Sequence, residues 1–267
     1  MSTGTLETDG PATQPAGAAP LGVLMLAGKM ADVPGCMAAE ATFGYPVRRL
    51  VVPGSRTPYS QDEAEAMLPM YIAAAQLLEQ EGVQVITANC GLMALLQDRI
   101  AATVRVPVVL SSLVAVPTVA RMIAPGRRIG VLTFFTSAVD ERNFAACGWS
   151  SADYPVTVVG VGDCESWQEF LRTKEVGPQL RRRLQADLRT VIDDLLRREP
   201  EIGALVVECT MIPAVLDDLR AELPVPAFDI LTVLDWAVSG FHRPVRSTAG
   251  PASVPAPAVA AGVAVDG

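Results

Sequence analysis

Apolar residues along this chain fall in short runs, and most runs lead into a longer stretch where they recur every three or four positions. The runs "LGVLMLA" (21–27), "VRRLVVP" (47–53), "VQVITA" (83–88), "VPVVLSS" (106–112), "RRIGVLTF" (127–134), "VTVVGV" (156–161), "IGALVVE" (202–208) and "VPAFDI" (225–230) have strand length and composition. Helical patterns cover 60–82, 92–103, 116–123, a stretch from about Arg142, 176–198, 213–222 and 231–241. The first opens with Ser60 and Glu63 at capping-box spacing and closes at Gly82. In 176–198, Leu180, Leu184, Leu188, Ile192 and Leu195 form one apolar stripe. Apolar strands alternating with helices predict right-handed βαβ units and parallel sheets, hence an α/β fold.

The pattern also repeats. "ITANCGLM" (86–93) and "VVECTMIP" (206–213) are each an apolar run that stops at a cysteine before a helical pattern. Cys90 precedes Pro107, and Cys209 precedes Pro226, by 17 positions (107 − 90 and 226 − 209). Both prolines sit in "VP" at the start of a strand, and "LGVLML" (21–26) is echoed by "IGVLTF" (129–134). Any two βαβ units look somewhat alike. Here both cysteines also fall at the carboxyl end of a strand, where open α/β sheets bind ligands. Two related lobes in tandem are expected.

Composition narrows the partners. Half of the 267 residues are hydrophobic and only 5% aromatic, as suits buried parallel strands. A net charge of −8 with no extended basic block speaks against nucleic acid; Arg181, Arg182 and Arg183 lie in a helical pattern as a solvated face. No apolar run approaches the ~20 residues of a membrane span. The start, "MSTGTLETDGPATQPAGAAP", lacks the basic and apolar regions of a secretory signal. Five cysteines without a CxxC pair suit a reduced, cytoplasmic protein with free thiols. Residues 1–20 and 244–267 are rich in Gly, Pro and Ala and read as disordered tails.

A cysteine at a helix N-terminus has its thiolate favoured by the dipole, which lowers a thiol from about 8.5 by one to several units. If the lobes face each other, Cys90 and Cys209 meet across the cleft. One thiolate can take a proton from a carbon while the other thiol delivers one to the opposite face, inverting the centre without metal or organic cofactor. With one histidine, His242, a Ser-His-Asp or Cys-His triad is hard to build and a zinc site made of histidines is excluded.

"TANCG" (87–91), "VPVVLSSL" (106–113), "RIGVLT" (128–133), "ECTMIP" (208–213) and "PVPAFDI" (224–230) resemble the aspartate/glutamate/hydantoin racemase superfamily, which works without pyridoxal phosphate. The resemblance covers most of 21–243. It implies two Rossmann-like lobes with parallel sheets, related by a pseudo-twofold axis, with the active site in the cleft between them. The lobes are expected at 21–112 plus 227–243 and at 113–226. It further implies a racemase or epimerase of an amino acid or related small carboxylate, with Cys90 and Cys209 as paired bases and no cofactor. By position, Asn89, Gly91 and Thr210 would hold the substrate carboxylate. The better-known members carry Cys-Asn-Thr and Cys-Thr-His or Cys-Thr-Glu; here the corners read Cys90-Gly91-Leu92 and Cys209-Thr210-Met211, as in a less characterised branch. A maleate-type cis–trans isomerase and an arylmalonate-type decarboxylase are the alternatives. Members are often dimeric, so a homodimer is one assembly open to the chain.

Further candidates each have a plain structural reading. Ser111 and Ser112, at a strand end, could bind a carboxylate or simply cap a turn. Asp229 could bind an ammonium group or cap the following helix. Glu208, unusual in an apolar run, either poises Cys209 or bridges to an arginine. Lys29, in the loop after the first strand, could pair with a carboxylate or lie on the surface. It does not form a P-loop, because Met30 replaces the required Ser or Thr. Cys36 reads as a filler thiol, Cys147 and Cys164 as structural, and Tyr45, Tyr59 and the tryptophans as packing.

Overall fold

The computed structural model describes residues 19–241. The tail at 244–267, His242 and all but the last two residues of the tail at 1–20 lie outside them. Eight strands form two four-stranded sheets. The first holds β1 (Leu21–Met25), β2 (Val47–Val51), β3 (Val85–Ala88) and β4 (Val108–Val109) in the order β2-β1-β3-β4. The second holds β5 (Arg128–Thr133), β6 (Val156–Gly160), β7 (Ile202–Val207) and β8 (Ala227–Asp229) in the same relative order, β6-β5-β7-β8. Every pairing is parallel. The tandem echo thus reflects two lobes of one topology.

The helices are α1 (Gln61–Gln80), α2 (Gln97–Ala101), α3 (Val116–Met122), α4 (Glu141–Ala146), α5 (Glu165–Thr173), α6 (Pro178–Arg198), α7 (Pro213–Leu216) and α8 (Ile230–Ser239). Ser60 caps α1 by accepting from the Glu63 N–H (3.2 Å), while the Glu63 carboxylate reaches back to the Tyr59 N–H (2.7 Å). The helices expected at 92–103 and 213–222 are broken. The first begins as a fully buried 3₁₀ turn over Gly91–Leu96, and the second is α7 plus a 3₁₀ turn at Arg220–Glu222. The strand expected at 106–112 shrinks to β4 because the buried Gln97 amide takes its place. Gln97 donates to Val108 O and accepts from Leu110 N–H, both at 2.8 Å. Helix α5 was not expected at all, although Trp167, Phe170 and Leu171 have helical spacing.

Three apolar clusters build the core. One packs α1 and α2 on the outer face of the first sheet, and another packs α5, α6 and α7 on the outer face of the second. The predicted stripe of α6, from Leu180 to Leu195, is buried throughout. The third joins the lobes, bringing Leu21, Val23 and Val85 together with Ile129, Val131 and Val206 under α8. The Trp149 indole N–H donates to Leu113 O (2.9 Å) inside it. The lobe boundary differs from the expected one. Residues 227–229 extend the second sheet by pairing with β7, and α8 returns to the inter-lobe core. The reason is topological: β8 follows β7 by the same crossover that sets β4 beside β3. Among the described residues no helix is long and apolar enough to cross a membrane.

Leu188→Ala removes a fully buried side chain from the α6 stripe. Urea unfolding should show a loss of about 2–5 kcal/mol. A loss below about 1 kcal/mol would mean that α6 does not anchor the second lobe.

Candidate active site

The two corners share a backbone arrangement. Cys90 lies two residues beyond the end of β3, and Cys209 two beyond the end of β7. The residue before each cysteine donates its N–H to the preceding strand of its sheet: Asn89 to Leu24 O (3.1 Å), Glu208 to Leu132 O (2.7 Å). Leu24 and Leu132 are themselves the register partners of Ala88 and Val207. Asn89 and Glu208 therefore hold equivalent places in the two lobes.

Side chains then tie corner to corner. The Thr210 hydroxyl donates to Asn89 O (2.7 Å), and the Ser112 hydroxyl donates to Val207 O (2.7 Å). Glu208 is 2% exposed and its carboxylate accepts from the Thr133 hydroxyl (2.6 Å). It lies flat against Gly91, where a β-carbon would overlap its carbonyl and come within 2.5 Å of its Oε1. Only glycine at 91 admits Glu208, so "CG" in one corner and "EC" in the other are one packing solution.

Between the corners is a cavity of about 150 Å³. Cys90 and Cys209 both line it, with Asn89, Gly91, Glu208 and Thr210 beside them. The loop after β1 forms one wall through Met30, Ala31, Cys36 and Met37. Arg49 on β2 holds this loop, donating to Met37 O and Ala39 O (both 2.9 Å). Phe134 and Phe135, just after β5, form a second wall with Tyr59. The end of α5 supplies Leu171 and Lys174.

Other expected site residues lie elsewhere. Lys29 is exposed and pairs with Glu175 (2.6 Å). Ser111 turns back to cap its own 3₁₀ turn at Leu113 N–H (3.3 Å), and Ser112 is spent on the inter-lobe bond. Asp229 is wholly buried, caps α8 at Thr232 N–H (2.9 Å) and is ion-paired with Arg220. None of these four lines the cavity. The cavity also takes in Lys174, Thr133, Phe134 and Phe135, which the sequence pattern does not single out, and Cys36 and Tyr59, which it assigns to filling and packing. For Thr133 to Phe135 the signal existed, since they end β5 as Met25 and Leu26 end and follow β1. No local signal marks Lys174.

The electrostatics reverse one expectation. Burial, then the nearby Glu208 carboxylate, push the Cys90 thiol up to about 12, and the same two causes push Cys209 up. Backbone N–H groups after each cysteine pull the other way, from Leu92 and Met93 and from Met211 and Ile212. They lose because a 3₁₀ turn and a four-residue α7 supply little dipole, while desolvation acts in full. Burial also pushes the Cys36 thiol up to about 12 and Glu208 up to about 7, the latter opposed by the Thr133 hydroxyl. Lys174 is held below the usual lysine range by desolvation, with the three thiols acting in the opposite sense. Among the described residues no cluster of three or more His, Cys, Asp or Glu could hold a metal ion.

Two parallel-sheet lobes of the same strand order enclose the cavity between their matched corners. Residues 47–238 match the model of the Asp/Glu/Hydantoin racemase family, and the chain belongs to that family. In fold it is similar to an aspartate racemase homologue from Pyrococcus horikoshii OT3 (TM-score 0.52, 16% identity, 83% of this chain and 97% of that one). It is also similar to a glycine-to-cysteine mutant of arylmalonate decarboxylase (TM-score 0.54, 17% identity, 83% and 92%). In sequence it is similar to a dimethylsulfoniopropionate lyase from Durusdinium sp. clade D, 28% identical over 236 residues, covering 84% of this chain and 75% of that one. Dimethylsulfoniopropionate lyase 5 of Emiliania huxleyi (strain CCMP1516) is 29% identical over 178 residues, covering 61% and 34%.

Two outcomes test this geometry. Gly91→Ala should lower stability by about 1–3 kcal/mol, because the clashing Glu208 carbonyl is backbone and cannot swing away. An unchanged melting temperature would show that the corners are not in contact. Glu208 folds with its pKa raised from 4.5 to about 7, so the folded state keeps a proton that the unfolded chain releases. That stabilisation is complete below about pH 4.5 and fades as pH rises through 7. Glu208→Gln should therefore gain on the wild type by about 3 kcal/mol between pH 4.5 and 8 in urea unfolding. A gap independent of pH would place the titration elsewhere.

Proposed function

We propose that this enzyme removes the proton next to a carboxylate with a cysteine thiolate, and that its substrate is a small β-sulfonium carboxylate, dimethylsulfoniopropionate or a near relative, which it cleaves. The observation that carries this reading is one small cavity lined by the thiols of two matched corners. In the reaction, Sγ of Cys90 or Cys209 takes a proton from C2. The C–H electron pair becomes the C2–C3 double bond. The C3–S bond breaks with its electrons on sulfur, releasing dimethyl sulfide and leaving acrylate. The proton on the cysteine returns to solvent, with Glu208, which titrates near neutrality, as the adjacent carrier. Atoms and electrons balance without an oxidant or reductant.

Three features support a sulfonium. Thiols pushed up by burial and by Glu208 ionise more readily beside a positive charge, and this substrate brings one. A sulfonium has no N–H to satisfy, so it tolerates walls of Met, Leu and aromatic side chains. Phe135 packs at 4.6 Å from Phe134 and 6.2 Å from Tyr59 (ring centroids), a cluster whose faces attract a cation. The Durusdinium relative, similar in sequence over 84% of this chain, also carries that activity in its name. Racemisation of a small amino acid is the second reading. It is favoured by the equivalence of the two thiols, since inversion needs an acid and a base on opposite faces.

Headspace gas chromatography on protein incubated with dimethylsulfoniopropionate should show dimethyl sulfide matched by acrylate. Replacing the cysteine that acts as the base should lower turnover by at least about 100-fold, so at least one of Cys90→Ser and Cys209→Ser should do so. α-Deuteration and inversion of an amino acid in D₂O, with no sulfide released, would establish the racemase instead.

A further inference from the structure

The chain has two lysines, Lys29 and Lys174, and only Lys174 lines the cavity. Lys29 is exposed and committed to Glu175. Lys174, the neighbour of Glu175, is half-buried and lines the cavity. No ion pair forms to it among the described residues, and the adjacent carboxylate is drawn off by Lys29. It is the one cationic side chain among the lining residues, and Cys36, Cys90 and Cys209 are its electrostatic neighbours.

Its backbone is the second observation. Lys174 ends α5 with φ 57° and ψ 26°, the only residue other than glycine in the left-handed region among those described. A residue with a β-carbon is disfavoured there, and glycine or asparagine ends a helix at less cost. A lysine kept in that position, lining an apolar cavity and with no ion pair among the described residues, is poised for a ligand.

We propose that Lys174 holds the substrate's carboxylate and makes the site selective for an anion over the matching amide. When a base takes the neighbouring proton, negative charge spreads onto that carboxylate, and a fixed ammonium there stabilises it. Backbone N–H groups at the corners then serve the thiols rather than the carboxylate, as the bonds to Cys90 and Cys209 indicate. The inference rests on the reading that a small carboxylate enters this cavity.

The test uses binding without turnover. Propionate and propionamide are titrated by saturation-transfer NMR into the wild type, Lys174→Gln, Lys174→Arg and Lys174→Gly. Propionate should bind the wild type and Lys174→Arg, and weaken about tenfold or more in Lys174→Gln and Lys174→Gly. Propionamide should bind all four alike. Lys174→Gly should melt no lower than the wild type, because glycine relieves the left-handed backbone. Propionate binding equally to wild type and Lys174→Gln would overturn the proposal, as would a loss that tracks a fall in melting temperature. The two readings fail separately. Lys174-dependent propionate binding without release of dimethyl sulfide removes the sulfonium lyase and leaves the carboxylate site. Sulfide release by Lys174→Gln at the wild-type KM removes Lys174 and leaves the lyase.

Discussion

Glu208 packed against Gly91 is the contact on which the site depends. A carboxylate from one lobe lies where the other lobe has no side chain, and its own carbonyl presses on the same α-carbon. That closeness brings Thr210 within reach of Asn89 O and Ser112 within reach of Val207 O. Each bond joins the end of a strand in one lobe to a corner or turn in the other. The cavity is small because these corners touch, and its thiols are hard to ionise because it is small and apolar. Geometry and reactivity follow from the same packing.

The backbone of the two corners is symmetric, but the chemistry is not. Equivalent positions carry Asn89, a neutral amide spent on Leu26 N–H, and Glu208, a buried acid bonded to Thr133. The first lobe adds an apolar loop; the second adds α5 with its lysine. A pair of thiols is thus set in a cavity with a cationic side and an aromatic side. Such a cavity suits a molecule whose two ends differ in charge and polarity.

Much of this was legible in the sequence because it is periodic. Strand runs are read from consecutive apolar residues, and the α6 stripe from its spacing. The equivalence of Cys90 and Cys209 followed from their common distance to a strand-opening "VP". Asn89, Gly91, Glu208 and Thr210 line the cavity, and they are legible because they are sequence neighbours of the thiols. Ser111, Ser112, Asp229 and Lys29 follow from the same logic of strand ends but do not line the cavity. At such an edge a short polar side chain can equally cap a turn or bridge to another backbone, and only the partner within reach decides which.

The sequence by itself determined the α/β alternation, the duplication and the two thiols that end matching strands, because these depend on local pattern and spacing. The tertiary structure decided the charge state and the walls. Whether a thiol at a strand end is acidic depends on the water it has lost, which is a property of both lobes together. Lys174 reaches the cavity only because an unforeseen nine-residue helix, α5, ends in a left-handed turn beside it. No spacing along the chain encodes that approach. It arises when Trp167 and Phe170 bury themselves in the second lobe and aim the end of their helix at the cleft.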